Sequence, residues 1–357
     1  MRVGSVRLML ARRRVVGLAL ALALLAQAGC AFVDVPMTPR PTATPASPCG
    51  ALTAHTSAPA QSIAARLSPG AAPLVYGVNL ALYDTHDDVV NDPHIQGILH
   101  DAGVPIIRMP FRATLSDEYV TQAMRVIREI GAAPLLIIHG PTDPDMLADD
   151  FHLLTLAISV FHNGPVYVEF SNEPELAGVS AEQYAAAWNS VIPCLKSIAP
   201  TYQFVGPVNS FYNPDYVMTF ERLAHPRPDV ISWHEYACAN SDSDDACMRY
   251  LSHWSSHIAD MRQRLAAAGV APTPVMVTEW NLDDRPDPRY QNAAFIKAWT
   301  AAALATLSAS RSDGLIAATQ YCVTNNPNFG LLTASGAETP AGEAFFTALR
   351  TARAGTS

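Results

Sequence analysis

The sequence predicts a single α/β domain of the (β/α)8 (TIM) barrel class, which follows a leader and a flexible tether. Three observations indicate this class: short apolar segments recur along residues 74–352, longer amphipathic segments separate them, and the stretch has the length of one such barrel. Hydrophobic residues make up 49% of the 357 residues and charged residues 15%, which excludes a disordered chain. We therefore divide the chain into a leader (1–29), a tether (30–73) and a barrel domain (74–357).

The leader contains five arginines and no acidic residue, and its apolar run covers residues 15–26. This run is shorter than the roughly 20 residues of a transmembrane helix and is typical of a secretory signal peptide. Small residues precede Cys30, as in a bacterial lipobox, although Gln27 stands where an aliphatic residue is usual. We expect an extracellular protein held at the cell membrane by a lipid on Cys30, with cleavage and plain secretion as the alternative.

Beyond the leader the chain is acidic and begins with a proline-rich stretch. Residues 30–357 contain 18 basic and 32 acidic residues, so their net charge is −14, whereas the whole chain carries −9. Nucleic-acid binding needs a basic face and is excluded as a function. Residues 30–73 are rich in proline, alanine, threonine and serine, which predicts a semi-extended tether.

Eight segments have the length and the two-sided apolar character of strands that are buried in a parallel sheet. They are residues 74–82, 105–111, 134–139, 166–171, 203–208, 229–236, 274–280 and 315–322. In this arrangement we expect Trp233 and Trp280, which neighbour candidate site residues along their strands, to face the helices, because successive side chains alternate between the two faces of a strand.

A helix candidate follows each strand. These candidates lie near residues 92–102, 117–131, 144–162, 180–198, 214–224, 245–268, 289–311 and 340–352. Ser180 is a typical N-cap, and Gly103, Gly131 and Gly269 stand just past three helix ends. A doubly wound open sheet is the structural alternative, but the turn after the first strand, residues 83–86, lacks the glycines of a dinucleotide-binding turn.

Polar residues at the carboxyl ends of the strands are the candidates for chemistry, because the active sites of (β/α)8 barrels lie at that face. Two glutamates, Glu173 and Glu279, end the fourth and seventh strands behind long apolar runs. A charge in such a place is costly unless it is paired and hydrogen-bonded, so both predict a functional site, with structural ion pairing as the alternative. The other candidates are Asn79, Arg108, His139, Asn172, His234, Glu235, Tyr236, Gln320 and Tyr321.

The sequence resembles the clan A glycoside hydrolases in four places. Residues 169–175 (EFSNEPE) look like their Asn-Glu-Pro motif, and residues 275–281 (VMVTEWN) look like their nucleophile strand. Residues 234–236 resemble the His-x-Tyr pattern of their sixth strand, and residues 330–342 are similar to the closing segment of many family 5 and family 39 enzymes. The resemblance covers roughly residues 74–350.

The resemblance implies a retaining β-glycosidase with two catalytic carboxylates about 5–5.5 Å apart. Glu173 would be the general acid/base, and Glu279 would be the nucleophile that forms a glycosyl-enzyme intermediate. Asn172 would hydrogen-bond the sugar 2-hydroxyl. Arg108 would keep Glu279 ionised, and Tyr236 would donate a hydrogen bond to it.

Four further residues are expected to bind the sugar. His139 and His234 would line the pocket, with a role as core histidines as the alternative, and Asn79 points to the same face from the first strand. Tyr321 is a possible stacking platform, with core packing equally compatible. The eighth strand carries Gln320 and Tyr321 where many family 5 enzymes have tryptophan, which leaves the identity of the sugar platform open.

The expected partner is therefore a carbohydrate, bound by a monomer without a cofactor or a metal ion. One rival is a catalytically silent barrel that only binds glycan, which the presence of both carboxylates and Arg108 disfavours. A second rival is a metal-dependent barrel hydrolase, which chelators would inhibit. His253 and His257 lie four residues apart on one helix face, but no His-Glu-x-x-His motif accompanies them.

The chain has six cysteines, of which five remain if Cys30 carries a lipid, and an oxidising compartment would allow disulfides among them. Cys238 and Cys247 flank a polar loop directly after the sixth strand, and we expect them to form a disulfide. Such a loop closure contributes about 2.5–3 kcal/mol to stability in the chain-entropy model. The sequence leaves the pairing of Cys49, Cys194 and Cys322 open.

Overall fold

The computed structural model of this protein describes residues 72–324 and 329–355. The predicted leader, the lipidation candidate Cys30, Cys49 and the tether up to residue 71 lie outside the described residues. Among the described residues, no helix combines the length and the apolar character needed to cross a membrane.

Eight parallel strands pair in chain order and close into a barrel, so the predicted (β/α)8 fold is confirmed. The first and last strands join at the pair Gly77 and Thr319, which closes the sheet. The strands are β1 (Gly77–Asn79), β2 (Ile106–Pro110), β3 (Ala133–Ile138), β4 (Tyr167–Phe170), β5 (Gln203–Asn209), β6 (Val230–Tyr236), β7 (Val275–Asn281) and β8 (Leu315–Gln320).

The helices of the described residues surround this barrel. They are α1 (Asp88–Asn91), α2 (Pro93–Ala102), α3 (Asp117–Ile130), α4 (Met146–Phe161), α5 (Ala181–Ile198), α6 (Pro214–Leu223), α7 (Asp244–Ala267), α8 (Ala293–Ala309) and α9 (Pro340–Ala354). Ser180 caps α5 in a reciprocal capping box with Gln183. Gly103 and Gly131 end α2 and α3 in the left-handed conformation that glycine adopts without strain.

The first strand is shorter than the sequence predicts. Residues 74–76 form a 3-10 turn, and the chain leaves the sheet after Asn79. The carboxylate of Asp87 accepts from the backbone N–H of Leu82, whose φ is 43°. This local hydrogen bond holds a turn at Leu82, inside the segment that the sequence predicts as a strand.

The buried apolar side chains form two clusters that the barrel wall separates. The large cluster lies between the strands and the helices and includes Trp233 and Trp280. Trp280 packs against Trp254 of α7 and Trp299 of α8, so the expectation that it faces the helices is confirmed. The small cluster fills the barrel interior beneath the site and consists of Leu74, Ile106, Ala133, Leu135, Tyr167, Val205, Val230, Met276 and Ala317.

The expected disulfide is present in the loop that follows β6. Cys238 and Cys247 are bonded, with their Cα atoms 5.2 Å apart. Arg289 joins this loop to the segment after β7, since it donates to the carbonyl oxygens of Ala239 and Asp242 at 2.7 and 2.8 Å. Of the cysteines that the sequence left open, Cys194 is disulfide-bonded as well.

Candidate active site

Arg108 lies at the centre of the strand ends and donates to the side-chain oxygens of four other residues, with His234 Nε2 also 3.5 Å from its guanidinium. Its guanidinium donates to Glu169 at 2.5 Å and to Glu279 at 2.6 Å, and also to the side-chain oxygens of Asn79 at 3.1 Å and Asn172 at 2.7 Å. Burial opposes the charge of Arg108, but the two carboxylates outweigh burial and raise its pKa. Arg108 is therefore a buried permanent cation.

Glu279 stands on β7 and is held at both carboxylate oxygens. Arg108 donates to Oε1, and the hydroxyl of Tyr236 donates to Oε2 at 2.7 Å. Burial alone disfavours the ionised form, but the charges of His234 and Arg108 and the bond from Tyr236 outweigh it and lower the pKa of Glu279. Glu279 is thus an ionised, oriented carboxylate, as a nucleophile requires.

Glu173 follows β4 in a turn of unusual backbone conformation. Both Ser171 and Glu173 have positive φ, 74° and 48°, which costs about 1–3 kcal/mol each for residues other than glycine. The backbone N–H of Glu173 donates to the carbonyl of Val208 at 2.9 Å, so β5 holds the turn in place. Strain of this kind is typical of residues whose side chain must point in one functional direction.

The environment of Glu173 favours its protonated form, unlike that of Glu279. Burial and the charge of Glu279 raise the pKa of Glu173, against a hydrogen bond at 2.9 Å with Nδ1 of His234. The same two carboxylates raise the pKa of His234, although its own burial acts in the opposite direction. An oxygen of Glu173, an oxygen of Glu279 and a ring nitrogen of His234 all lie within 4.8 Å of one another.

A register shift between β6 and β7 places His234 in this cluster. Trp233 pairs with Val277, whereas the next residue, His234, pairs with Glu279. Because one residue of β7 is passed over, His234 and Glu279 both point into the barrel at the same level. This irregularity cannot be read from the spacing of the sequence motifs.

Asn172 has a free side-chain N–H donor, whereas the side chain of Asn79 has its donors and its acceptor engaged. Nδ2 of Asn172 is buried without a partner, so this amide can donate to a bound molecule. The amide of Asn79 donates to the carbonyls of Thr278 and Thr319, both at 3.1 Å, while its oxygen accepts from Arg108. Asn79 therefore holds the guanidinium of Arg108 in position. This role differs from the substrate contact that the sequence predicts for Asn79.

His139, which the sequence predicts to line the sugar pocket, lies beside two aspartates, apart from Glu173 and Glu279. Asp150 of α4 accepts from the backbone N–H of His139 at 2.7 Å, and the imidazole lies near Asp143 and Asp150. Burial raises the pKa of Asp150 to about 7, despite the opposing hydrogen bond and charge of His139. The carboxylates of Asp150 and Asp143 raise the pKa of His139 against the effect of its burial.

Tyr321 reaches the mouth of the site from the end of β8. Its hydroxyl hydrogen-bonds the hydroxyl of Tyr83, a residue of the loop after β1 that is 43% exposed. The ring of Tyr321 packs near Phe329 with the centroids 6.4 Å apart, and only 7% of the residue is exposed. Its role as a sugar platform stays a prediction, and Tyr83 is an aromatic neighbour that the sequence analysis did not single out.

Two further acids occupy positions that sequence reasoning did not assign. Glu169 lies inside the barrel and forms the buried ion pair with Arg108; its place within a fully apolar strand is the signal that could have identified it. Glu235 points outward, accepting from the indole of Trp233 at 2.8 Å and bonding His257 of α7 at 2.7 Å. Glu235 is thus no part of the pocket.

Two groups among the described residues bring histidine and carboxylate atoms close enough to hold a metal ion. One is the trio Glu173, His234 and Glu279, and the other contains His139 and Asp143. In the trio, the guanidinium of Arg108 already occupies one oxygen of Glu279, and its charge repels a second cation. The trio therefore favours acid–base and nucleophilic chemistry over metal binding.

The comparisons with known proteins concern the fold. The sequence matches no protein-family model and no curated protein. Among solved structures, the chain is similar to an α-L-arabinofuranosidase from Thermotoga maritima in complex with arabinose, with a TM-score of 0.59, 16% identity, and 78% of this chain and 71% of that chain covered. A glucosidase from Croceicoccus marinus gives a TM-score of 0.56 at 16% identity, over 78% of this chain and 68% of that one.

A third similar structure is a GH5-4 broad specificity endoglucanase from Ruminococcus champanellensis with bound cellotriose. Its TM-score is 0.55 at 14% identity, and the match covers 76% of this chain and 95% of that chain. At such identities the similarity establishes the fold alone. The chain has the (β/α)8 fold that the resemblance to clan A glycoside hydrolases implies.

The turn that carries Glu173 depends on a close approach to Gly140. A Cβ at Gly140 would collide with the side chain of Ser171 and lie 3.1 Å from its Cα. We expect Gly140→Ala to displace the turn, and a shift of about 1 Å at a catalytic group costs about 10²-fold in kcat. Steady-state kinetics with a substrate of the activity proposed below measure the loss.

The matched control is Gly97→Ala on α2, where an added Cβ meets nothing within 4 Å. It should leave kcat unchanged and raise the free energy of unfolding by about 0.5–1 kcal/mol, because alanine is the better helix former. Wild-type kcat in Gly140→Ala would contradict the dependence of the turn on this contact.

Proposed function

We propose that this protein is a retaining β-glycosidase that hydrolyses a β-linked polysaccharide or oligosaccharide. The observation that carries the proposal is the pair Glu173 and Glu279. Their oxygens lie within 4.8 Å of each other, and their pKa values shift in opposite directions. Retaining glycosidases place their carboxyl groups about 5–5.5 Å apart, whereas inverting enzymes need about 6.5–9.5 Å to admit a water molecule.

In the first step Glu279 attacks the anomeric carbon while Glu173 transfers its proton to the leaving oxygen. The glycosidic bond breaks and a covalent glycosyl-enzyme forms. In the second step Glu173, now ionised, takes a proton from a water molecule that attacks the same carbon. The bond to Glu279 breaks, the sugar leaves with its original configuration, and both carboxyl groups return to their starting states.

The surrounding side chains support these two steps. Arg108 and Tyr236 hold Glu279 ionised and correctly oriented for attack. The uncommitted amide of Asn172 is placed to donate to the 2-hydroxyl of the sugar, a contact that strengthens in the transition state. His234 is hydrogen-bonded to Glu173 and orients the acid.

The assembled pair argues against a silent glycan-binding barrel, because a binding site has no need of two carboxylates with separated pKa values. The similar solved structures include a glucosidase and a broad specificity endoglucanase, which supports a β-linked glucan or a related glycan as substrate. A panel of β-glucan, xylan, mannan and aryl β-glycosides, with product analysis, identifies which is cleaved.

The isosteric changes Glu279→Gln and Glu173→Gln test the pair. Glu279→Gln removes the nucleophile and should lower turnover by several orders of magnitude on every substrate. Glu173→Gln should cost about 10²–10⁴-fold on a substrate with a poor leaving group, since only such a group needs the acid. Kinetics on an alkyl and a nitrophenyl glycoside, with NMR of the first product anomer, measure both effects.

Glu235→Gln serves as the control, because Glu235 is an equally buried glutamate of β6 that faces α7. Its turnover should stay within a few-fold of wild type. Near-normal activity of Glu279→Gln, or a first product of inverted configuration, would falsify the double displacement.

The opposite pKa shifts predict a bell-shaped dependence of kcat/KM on pH. Activity needs Glu279 ionised, and its pKa lies below the ordinary 4.5, so the acid limb falls below that value. Activity also needs Glu173 protonated, and its pKa lies above 4.5, so the alkaline limb follows at higher pH. With a nitrophenyl glycoside, the pH profile of Glu173→Gln should lose the alkaline limb and keep the acid limb. An unchanged alkaline limb would mean that a group other than Glu173 causes it.

We also propose that the protein is exported and anchored through Cys30, on the evidence of the basic leader, the apolar run and the small residues before Cys30. An inhibitor of the lipoprotein signal peptidase should leave the leader uncleaved in cells. Cys30→Ser removes the thiol that carries the lipid, so it should abolish lipid labelling of the protein and leave the leader uncleaved, as the inhibitor does. Normal processing under the inhibitor would point to plain secretion instead.

A further inference from the structure

A second cluster of metal-ligand side chains lies outside the catalytic pair, where β3 leads into α4. We propose that His139, Asp143 and Asp149, with Asp150 beside them, bind one divalent metal ion. His139 directly follows β3, Asp143 lies in the connecting loop, and the other two aspartates lie on α4. One atom each of His139, Asp143 and Asp149 lie within 4.8 Å of one another.

Three atoms at this place, one each in His139, Asp143 and Asp150, are buried and lack a hydrogen-bond partner. Nδ1 of His139 and Oδ2 of Asp143 are both unpaired, and the side chain of Asp143 is only 9% exposed. Asp150 is fully buried, and its Oδ2 is unpaired as well. A buried polar atom without a partner costs about 1–3 kcal/mol, so an ion that engages these atoms would remove a substantial penalty.

The distances fit a shared ion better than hydrogen bonds. Nδ1 of His139 lies 3.5 Å from Oδ2 of Asp143 and 3.4 Å from Oδ1 of Asp150. A hydrogen bond between such atoms is about 2.7–3.2 Å long. Two ligands of one zinc ion, each about 2.1 Å from it at a tetrahedral angle, lie about 3.4 Å apart.

The charge and chemistry of the cluster also favour a cation. The carboxylates of Asp143 and Asp150 flank the imidazole of His139, and no lysine or arginine of residues 72–324 and 329–355 forms an ion pair with either of them. Calcium and magnesium prefer all-oxygen ligand sets, whereas an imidazole with carboxylates suits zinc or manganese. This cluster thus differs from the catalytic trio, where Arg108 already neutralises Glu279.

An ion here would join the end of β3 to the start of α4. Gly140, next to His139, packs against Ser171 of the turn that precedes Glu173. The ion would therefore rigidify the loop that supports this turn, without contacting the reacting atoms. The inference concerns binding and stability, and it stands whether or not the proposed glycosidase activity is correct.

The experiment uses the full chain, freed of metal by a chelator and then titrated with zinc chloride or manganese chloride. Bound metal is counted by equilibrium dialysis with elemental analysis, and the thermal unfolding midpoint is measured in parallel. Asp143→Asn and His139→Gln remove ligands. Asp145→Asn is the matched control, because Asp145 lies in the same loop and its side chain makes no cap to α4.

Wild type and Asp145→Asn should bind one ion per chain and unfold at a higher temperature with metal than without it. Asp143→Asn and His139→Gln should bind the metal ion at least about tenfold more weakly than wild type. Their circular dichroism without metal should match that of wild type. Absence of binding by the wild type would overturn the proposal, since His139 would then be only a protonated partner of the aspartates. Binding that survives Asp143→Asn but disappears in Glu279→Gln would also overturn it, because the ion would then belong to the catalytic trio.

Discussion

The buried guanidinium of Arg108 is the interaction on which the rest of the site depends. It lies above the small apolar cluster inside the barrel and is the common partner of Glu169, Glu279, Asn79 and Asn172. An uncompensated charge in such a place costs several kcal/mol, so the carboxylates and the cation require one another. Strands β1, β2, β4 and β7 are thereby joined at the face where chemistry is proposed.

Next to this centre, the two carboxylates of the proposed catalytic pair acquire different properties. Glu279 is in direct contact with Arg108 and Tyr236 and stays ionised. Glu173 is bonded to His234 instead of Arg108, and burial and the charge of Glu279 raise its pKa despite the opposing effect of His234. Identical side chains thus differ in protonation because of their surroundings alone. The strained turn at Ser171 and Glu173 also orients the side chain of Glu173, so that its carboxyl group points toward that of Glu279.

Regular packing and irregular backbone occur in different parts of the barrel. Apolar packing between strands and helices secures the wall, and the strand ends carry the polar, strained or irregular features. Three irregular features lie at the carboxyl ends of the strands. They are the register shift between Trp233 and His234, the left-handed turn after β4 and the close approach of Gly140 to Ser171. Such departures are stable there because the remaining sheet over-determines the position of each loop.

The sequence alone determined the fold class, the eight strands, most helix bounds and the Cys238–Cys247 disulfide, because buried periodicity is a local signal. The assignment of Glu173 and Glu279 as a catalytic pair, made from their strand-end position, stays a prediction. Only the tertiary structure decided which polar residues meet. In the folded chain Asn79 and Glu169 both hydrogen-bond Arg108. Glu235 faces α7, and His139 lies in a separate acidic cluster. Those outcomes depend on strand register and on partners distant in the chain, which no spacing along a single sequence encodes.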